Sequence, residues 1–127
     1  NNTMMALRLT HSLKKVTSPM LGHRFMSVIN ISDMDATTKF QQVNQKTVMY
    51  FTATWCPPCK AIKPVYEELA KKYDGVGFGK IDVDDNSEAA AEFQISAVPT
   101  FIFSNGQRFS GADPNQLEQL IKTLDEE

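Results

Sequence analysis

The segment Val48-Met49-Tyr50-Phe51-Thr52-Ala53-Thr54-Trp55-Cys56-Pro57-Pro58-Cys59-Lys60 carries an apolar run straight into the only two cysteines of the 127-residue chain. From Thr47 to Ala53 the run is nearly continuous, as a strand covered on both faces requires. Ala61-Ile62-Lys63-Pro64-Val65-Tyr66-Glu67-Glu68-Leu69-Ala70 follows and reads as a helix to about Tyr73. Pro64 inside it is expected to remove one hydrogen bond and kink it. A strand that feeds a helix through Cys-x-x-Cys places Cys56 at the helix N-terminus. Unpaired backbone N–H groups and the helix dipole favour a thiolate there. A free thiol of pKa about 8.5 is only about 3% ionised at pH 7; lowering it by roughly 1.5 units, worth about 2 kcal/mol, makes about half of it thiolate.

Working outward, Ser27-Val28-Ile29-Asn30-Ile31 alternates with period two and predicts a first strand. Ser32 or Asp33 is placed to cap a helix running to about Asn44, with Met34, Thr37, Phe40 and Val43 at helical spacing. Asp74-Gly75 ends the helix that carries the cysteines. Val76 to Val83 predicts a strand weakened by Gly77 and Gly79, and Ser87 a cap for a short helix over Glu88–Phe93. Thr100–Phe103 and Gln107–Ser110 flank Asn105-Gly106, which predicts a hairpin with a tight two-residue turn. Asp113 and Pro114 open a last helix whose apolar stripe is Leu117, Leu120, Ile121 and Leu124. The order is βαβαβαββα. Its alternating first part requires parallel crossovers, and the hairpin adds an antiparallel edge. The fold class is therefore α/β, a three-layer α/β/α sandwich around a mixed sheet.

One domain with a real core fits this length. The chain is mildly acidic overall, with a formal net charge of −2, so nothing points to nucleic acid. Two cysteines are too few for a disulfide scaffold, and no stretch approaches the roughly 18 apolar residues of a membrane span. The charge is unevenly placed: residues 1–32 hold Arg8, Lys14, Lys15, Arg24 and no acid, and all fifteen acidic residues follow. On a helical wheel of residues 4–16, Met5, Ala6, Leu9, Leu13 and Val16 oppose Arg8, His11, Lys14 and Lys15. This acid-free amphipathic pattern is expected of a mitochondrial targeting peptide over residues 1–26, with the folded domain at 27–127. Arg24-Phe25-Met26-Ser27 has the look of a processing site. The alternatives are a disordered tail, which leaves the chain cytoplasmic, or a membrane-surface helix. A secretory signal is excluded, because Arg8 interrupts the short apolar run Met4–Leu7.

Four blocks, Thr52–Lys60, Lys80-Ile81-Asp82-Val83-Asp84, Ala97-Val98-Pro99-Thr100-Phe101 and Phe109-Ser110-Gly111-Ala112, stand in an order and at a spacing that resemble the thioredoxin family over roughly Ser27–Glu127. The resemblance implies the thioredoxin fold and a protein-disulfide reductase. Cys56 would attack a client disulfide and Cys59 would resolve the mixed disulfide. Trp55 would be a partly exposed contact for clients, and Pro57, Pro58 and Lys60 would support the site. Pro99, trans by local propensity, would be cis by resemblance and face the cysteines. The Val98 backbone would pair with an extended client segment, and Gly111 and Ala112 would leave room for it. The implied partners are disulfide-containing clients and a thioredoxin reductase, and a monomer is expected. No bound cofactor is expected beyond the redox-active cysteine pair. No metal is expected either, since the only histidines, His11 and His23, lie in the N-terminal segment.

Three departures matter. Pro57-Pro58 replaces the commoner Gly-Pro and removes donors near Cys56. Tyr50 stands where the family usually has a buried aspartate that helps take a proton from the second cysteine; a phenol with pKa near 10 is a poor base at pH 7. Slower turnover or a shifted reduction potential is therefore expected. Lys80, the usual partner of that aspartate, would be solvated or would bond the Tyr50 hydroxyl. Finally, Thr100–Ser110 is about four residues shorter than in animal-type members, so its strands should be short. Two rival readings remain open here: a more oxidising thiol–disulfide oxidase or isomerase, and a redox-independent binding module.

Overall fold

The computed structural model describes residues 27–127; the reading of residues 1–26 as a targeting segment lies outside the described residues. Five strands form one sheet in the order β1-β3-β2-β4-β5, with β1 at Ile29–Asn30, β2 at Thr47–Thr52, β3 at Gly77–Asp82, β4 at Thr100–Phe103 and β5 at Arg108–Ser110. The helices are α1 (Met34–Val43), α2 (Pro57–Lys72), α3 (Ser87–Glu92) and α4 (Pro114–Asp125). β1 and β2 both run parallel to β3, β2 pairs antiparallel with β4, and β4 antiparallel with β5. This is the thioredoxin fold, in the predicted element order.

All six residues of β2 are buried, because a helical layer covers each face of the sheet. Val48 and Tyr50 point into a core shared with Ile62, Tyr66 and Leu69 of α2 and with Leu117, Ile121 and Leu124 of α4. Met49 and Phe51 point the other way, onto Phe40 of α1, Ala89 of α3, and Ile31 and Ile81. The alternation of a single strand thus divides the apolar residues between two cores. At the centre of the first, the Tyr66 hydroxyl lies 2.7 Å from the Gly79 carbonyl and 3.1 Å from the Val48 carbonyl and shares its one proton between them.

Several boundaries differ from expectation. β1 spans two residues instead of five: it has a single neighbour, and the chain turns at once into the Asp33 cap, whose carboxylate accepts from the Ala36 N–H at 2.8 Å. Val43 is 68% exposed. A step of three residues turns a helix by about 300°, so a stripe built on i+3 steps rotates off the core, and Val43 lies a step beyond buried Phe40. The cap of α3 is Asn86, not Ser87; its Oδ1 accepts from the Ala89 N–H at 3.1 Å while its Nδ2 donates to the Thr37 hydroxyl at 3.2 Å, tying α3 to α1. Phe103 and Gln107 pair across the hairpin, since the Phe103 N–H donates to the Gln107 carbonyl at 2.9 Å. The turn is therefore three residues, Ser104-Asn105-Gly106, with Gly106 at φ 96°, the turn-plus-left-handed-residue form of loop. The Asp113 cap of α4 is as expected, its carboxylate accepting from the N–H groups of Asn115 and Gln116. Among the described residues, no helix is long and apolar enough to cross a membrane.

Gly79 sits where β3 passes under α1: an added Cβ would lie 2.6 Å from Ile31 Cδ1 and 3.0 Å from Phe40 Cε2. Gly79→Ala is expected to destabilise the domain by about 1–3 kcal/mol, the usual range for overpacking, measured as a lower urea midpoint at unchanged slope.

Candidate active site

β2 ends at Thr52, and the chain crosses the top of the sheet to Cys56, which caps α2 with φ −104°. The Cys56 sulfur accepts from the Cys59 N–H at 3.2 Å. Pro57 and Pro58 occupy the first two helical positions and carry no N–H, so Cys59 supplies the first backbone donor available to the sulfur. The Lys60 N–H donates to the Cys56 carbonyl at 3.3 Å, closing the first turn. Cys56 and Cys59 are joined as a disulfide, with Cα atoms 5.3 Å apart. They are 3% and 1% exposed and pack with Ala53, Val83 and Val98. Cys56 is thus reached only at its edge.

Around that edge the structure gathers residues distant in sequence. The Val98–Pro99 peptide is cis, as the resemblance implied, and the Val98 carbonyl oxygen lies 3.7 Å from the Cys56 sulfur. The Gly111 N–H donates to the Pro99 carbonyl at 2.9 Å. Gly111 has φ 117° with open space where a Cβ would stand, so backbone conformation and not crowding calls for glycine. Ala112 beside it is exposed. Trp55 is 65% exposed, its indole N–H donating to Asp84 Oδ2 at 3.0 Å. Asp84 is a site residue whose role sequence reasoning missed: it ends the Lys80–Asp84 block, but 29 positions separate it from Trp55.

Behind Cys59 the arrangement differs from one of the two expectations for Lys80. The Tyr50 hydroxyl donates to the Cys59 carbonyl at 2.8 Å. A phenol has one proton, and here it is committed to the helix backbone; no hydrogen bond joins Lys80 to it among the described residues. The Tyr50 ring stacks on Phe101 at 5.1 Å and tilts against Tyr66 at 4.9 Å. Burial pushes the phenol above its ordinary pKa, and the Glu67 carboxylate adds to that. Tyr50 therefore stays a neutral donor that holds the first turn of α2. Lys60, Lys63, Lys80 and Asp82 line an open cleft of about 330 Å³ that also touches Tyr50 and Cys59. Among the described residues, no three His, Cys, Asp or Glu side chains are grouped as metal ligands would be.

Such a site, a Cys-x-x-Cys disulfide on a helix N-terminus facing a cis-proline, can exchange disulfides. Comparison with known proteins agrees. The thioredoxin family model matches residues 27–126. A thioredoxin of Gallus gallus is 44% identical over 103 residues, covering 77% of this chain and 96% of that protein; the Homo sapiens thioredoxin is 39% identical over 103 residues, covering 74% and 98%. Among solved structures, Malassezia sympodialis thioredoxin aligns with a TM-score of 0.73 at 42% identity, covering 78% of this chain and 91% of that one. A chain from a study of thiol resolution in yeast mitochondrial 1-Cys peroxiredoxin via glutathione/thioredoxin systems aligns with a TM-score of 0.72 at 35% identity, covering 79% and 98%.

The buried phenols make alkaline pH a probe of this core. Burial raises the Tyr66 pKa well above its usual value, and Tyr50 beside it raises it further; Tyr50 is raised too. The unfolded chain loses these protons near pH 10 while the native state keeps them, so the native state binds more protons there. Stability is therefore fully present below about pH 10 and falls as pH rises through the higher native values. Denaturant titrations from neutral pH to about pH 11 are expected to show this fall, and Tyr66→Phe to flatten its slope at a cost of about 1 kcal/mol at neutral pH.

Proposed function

The chain belongs to the thioredoxin family and is a thiol–disulfide oxidoreductase that reduces protein disulfides through the Cys56–Cys59 pair, and on that premise we propose that Cys56 attacks and Cys59 resolves. The observation that carries this assignment is the Cys59 N–H aimed at the Cys56 sulfur at 3.2 Å from the start of α2, a donor and dipole that favour negative charge on that sulfur. The Cys56 thiolate attacks one sulfur of a client disulfide; the client S–S bond breaks, and the departing client thiolate takes a proton from water. Cys59 then gives its proton to water in the cleft lined by Lys60, Lys63 and Lys80 and attacks Cys56. The second client sulfur leaves as a thiolate and is protonated. The client gains two electrons, and the protein ends as the Cys56–Cys59 disulfide.

Trp55, Val98, Pro99, Gly111 and Ala112 form the client-contacting rim in this reading. Its support is the Val98 carbonyl beside the Cys56 sulfur, the Gly111 N–H on the Pro99 carbonyl and the exposed Trp55 ring. Extended client backbone would pair with Val98 as an added strand. Tyr50 and Lys80 act behind the pair, Tyr50 by fixing the Cys59 turn. The reductase reading is also favoured over the oxidising one by Pro57-Pro58. A strongly oxidising pair owes its potential to a well-stabilised reduced thiolate, and two prolines at the first helical positions leave the sulfur fewer donors. Members of this family typically act on disulfide substrates with thioredoxin reductase, and the same class of flavin- and nicotinamide-dependent enzyme would regenerate this chain. Thiol peroxidases are natural clients, in keeping with the peroxiredoxin system of one structural relative.

We further propose a monomeric, mitochondrial-matrix thioredoxin of the Trp-Cys-Pro-Pro-Cys type, with residues 1–26 as targeting segment and 27–127 as domain. The acid-free amphipathic pattern of residues 4–16 supports this.

With insulin as client and a matched reductase, Cys59→Ser is expected to abolish turnover and accumulate a mixed disulfide through Cys56 on non-reducing gels, whereas Cys56→Ser accumulates none. Trapping through Cys59 instead would reverse the assignment. A reporter fused to residues 4–32 is expected to become protease-protected inside isolated, energised mitochondria; a reporter that stays digestible rejects the import reading.

A further inference from the structure

Helix α3 stops on a left-handed residue that is not glycine. Gln94 has φ 53°; its N–H donates to the Ala91 carbonyl at 3.0 Å, and the Ile95 N–H donates to the Ala90 carbonyl at 2.9 Å. This is the two-bond helix stop in which glycine is usual, because a side chain there crowds the backbone. One side chain from the far hairpin takes two carbonyls at this stop. Arg108 of β5 donates from Nη1 to the Phe93 carbonyl at 2.9 Å and from Nη2 to the Gln94 carbonyl at 3.3 Å. A planar, permanently charged fork suits two neighbouring carbonyls at the negative end of a helix. Arg108 stands opposite Ile102 of β4, so the fork ties the end of α3 to the sheet edge.

The segment that leaves this stop, Ile95-Ser96-Ala97-Val98, is the one that brings the Val98 carbonyl to the Cys56 sulfur. Its far end is held by the same hairpin. The Thr100 hydroxyl donates to the Ala97 carbonyl at 2.6 Å and accepts from the Ser110 hydroxyl at 2.7 Å, and Gly111 holds the Pro99 carbonyl. In between, Ser96 and Ala97 are exposed, and only Ile95 and Val98 pack against the core. Burial alone therefore holds the segment weakly, and its two anchored ends set where its backbone lies.

We propose that Arg108 is a positioning residue for protein clients: by clamping the exit of α3, it holds residues 95–98 where the Val98 backbone can receive an extended client beside Cys56. The inference rests on the Val98 reading given above. A small disulfide needs only the sulfur and is indifferent to the clamp.

Single-turnover oxidation of the reduced protein, followed through the fluorescence of Trp55, separates the two cases with insulin and dithiobis-nitrobenzoate as oxidants. Arg108→Met is expected to slow insulin about five-fold relative to the small disulfide, and Arg108→Lys about two-fold, since a point charge cannot span both carbonyls. Equal slowing of both oxidants, or of neither, overturns the proposal. Gln94→Gly in the Arg108→Met background relieves the left-handed strain and restores stability without restoring the clamp. Insulin reactivity that stays low supports positioning, and reactivity that returns with stability overturns it. Amide exchange on the Cys59→Ser mixed disulfide with an insulin chain tests the underlying reading. A protected Val98 N–H with unchanged Arg108→Met rates removes Arg108 alone, whereas an unprotected Val98 N–H removes the Val98 reading and the clamp with it.

Discussion

Six consecutive residues, Thr47 to Thr52, lie away from water between β3 and β4, and this buried strand is the constraint on which the molecule depends. A strand covered on both faces must send its alternate side chains into two cores, which is why one helical layer meets Val48 and Tyr50 and the other Met49 and Phe51. It must also deliver the chain to the carboxyl end of the sheet at a defined height. There Cys56 becomes the cap of α2, with the Cys59 N–H on its sulfur. The reactive pair is therefore held by rigid elements: a strand with both neighbours paired, and a helix whose first turn Tyr50 fastens from below.

The exchange of a carboxylate for a phenol at position 50 changes what this foundation does. A buried carboxylate would carry charge and basicity toward Cys59. Tyr50 instead carries a neutral proton, kept in place by burial and spent on the Cys59 carbonyl. It contributes order and aromatic packing with Phe101 and Tyr66. Beside it, Lys60, Lys63, Lys80 and Asp82 line an open cleft. Together with the two prolines, this describes a site stiffened around its sulfurs and sparing in the groups that polarise them.

The legible part of the fold was the part written in contiguous residues. The apolar run of β2, the Asp33 and Asp113 caps and the stripe of α4 are each short-range patterns, and each was found where expected. The reading failed where the deciding contact was distant. Asn86 takes the cap of α3 from Ser87 because its amide also reaches Thr37 on α1. The hairpin turn is longer by one residue than Asn105-Gly106 suggests, because the pairing of Phe103 with Gln107 leaves Ser104 in the loop. Val43 looked apolar and inward, but the rotation of α1 leaves it in solvent.

By itself the chain of residues determined the order of elements, the cysteine pair at a strand-to-helix junction and the family to which these belong, because spacing and hydrophobic period act within a few positions. Tertiary structure alone decided which distant groups meet around the site. The Val98 carbonyl, the Asp84 partner of Trp55, the lysine-lined cleft and the Arg108 fork on the end of α3 come from separate elements brought together by the sheet. A periodic pattern records which face a residue turns inward, and it holds no record of what waits there.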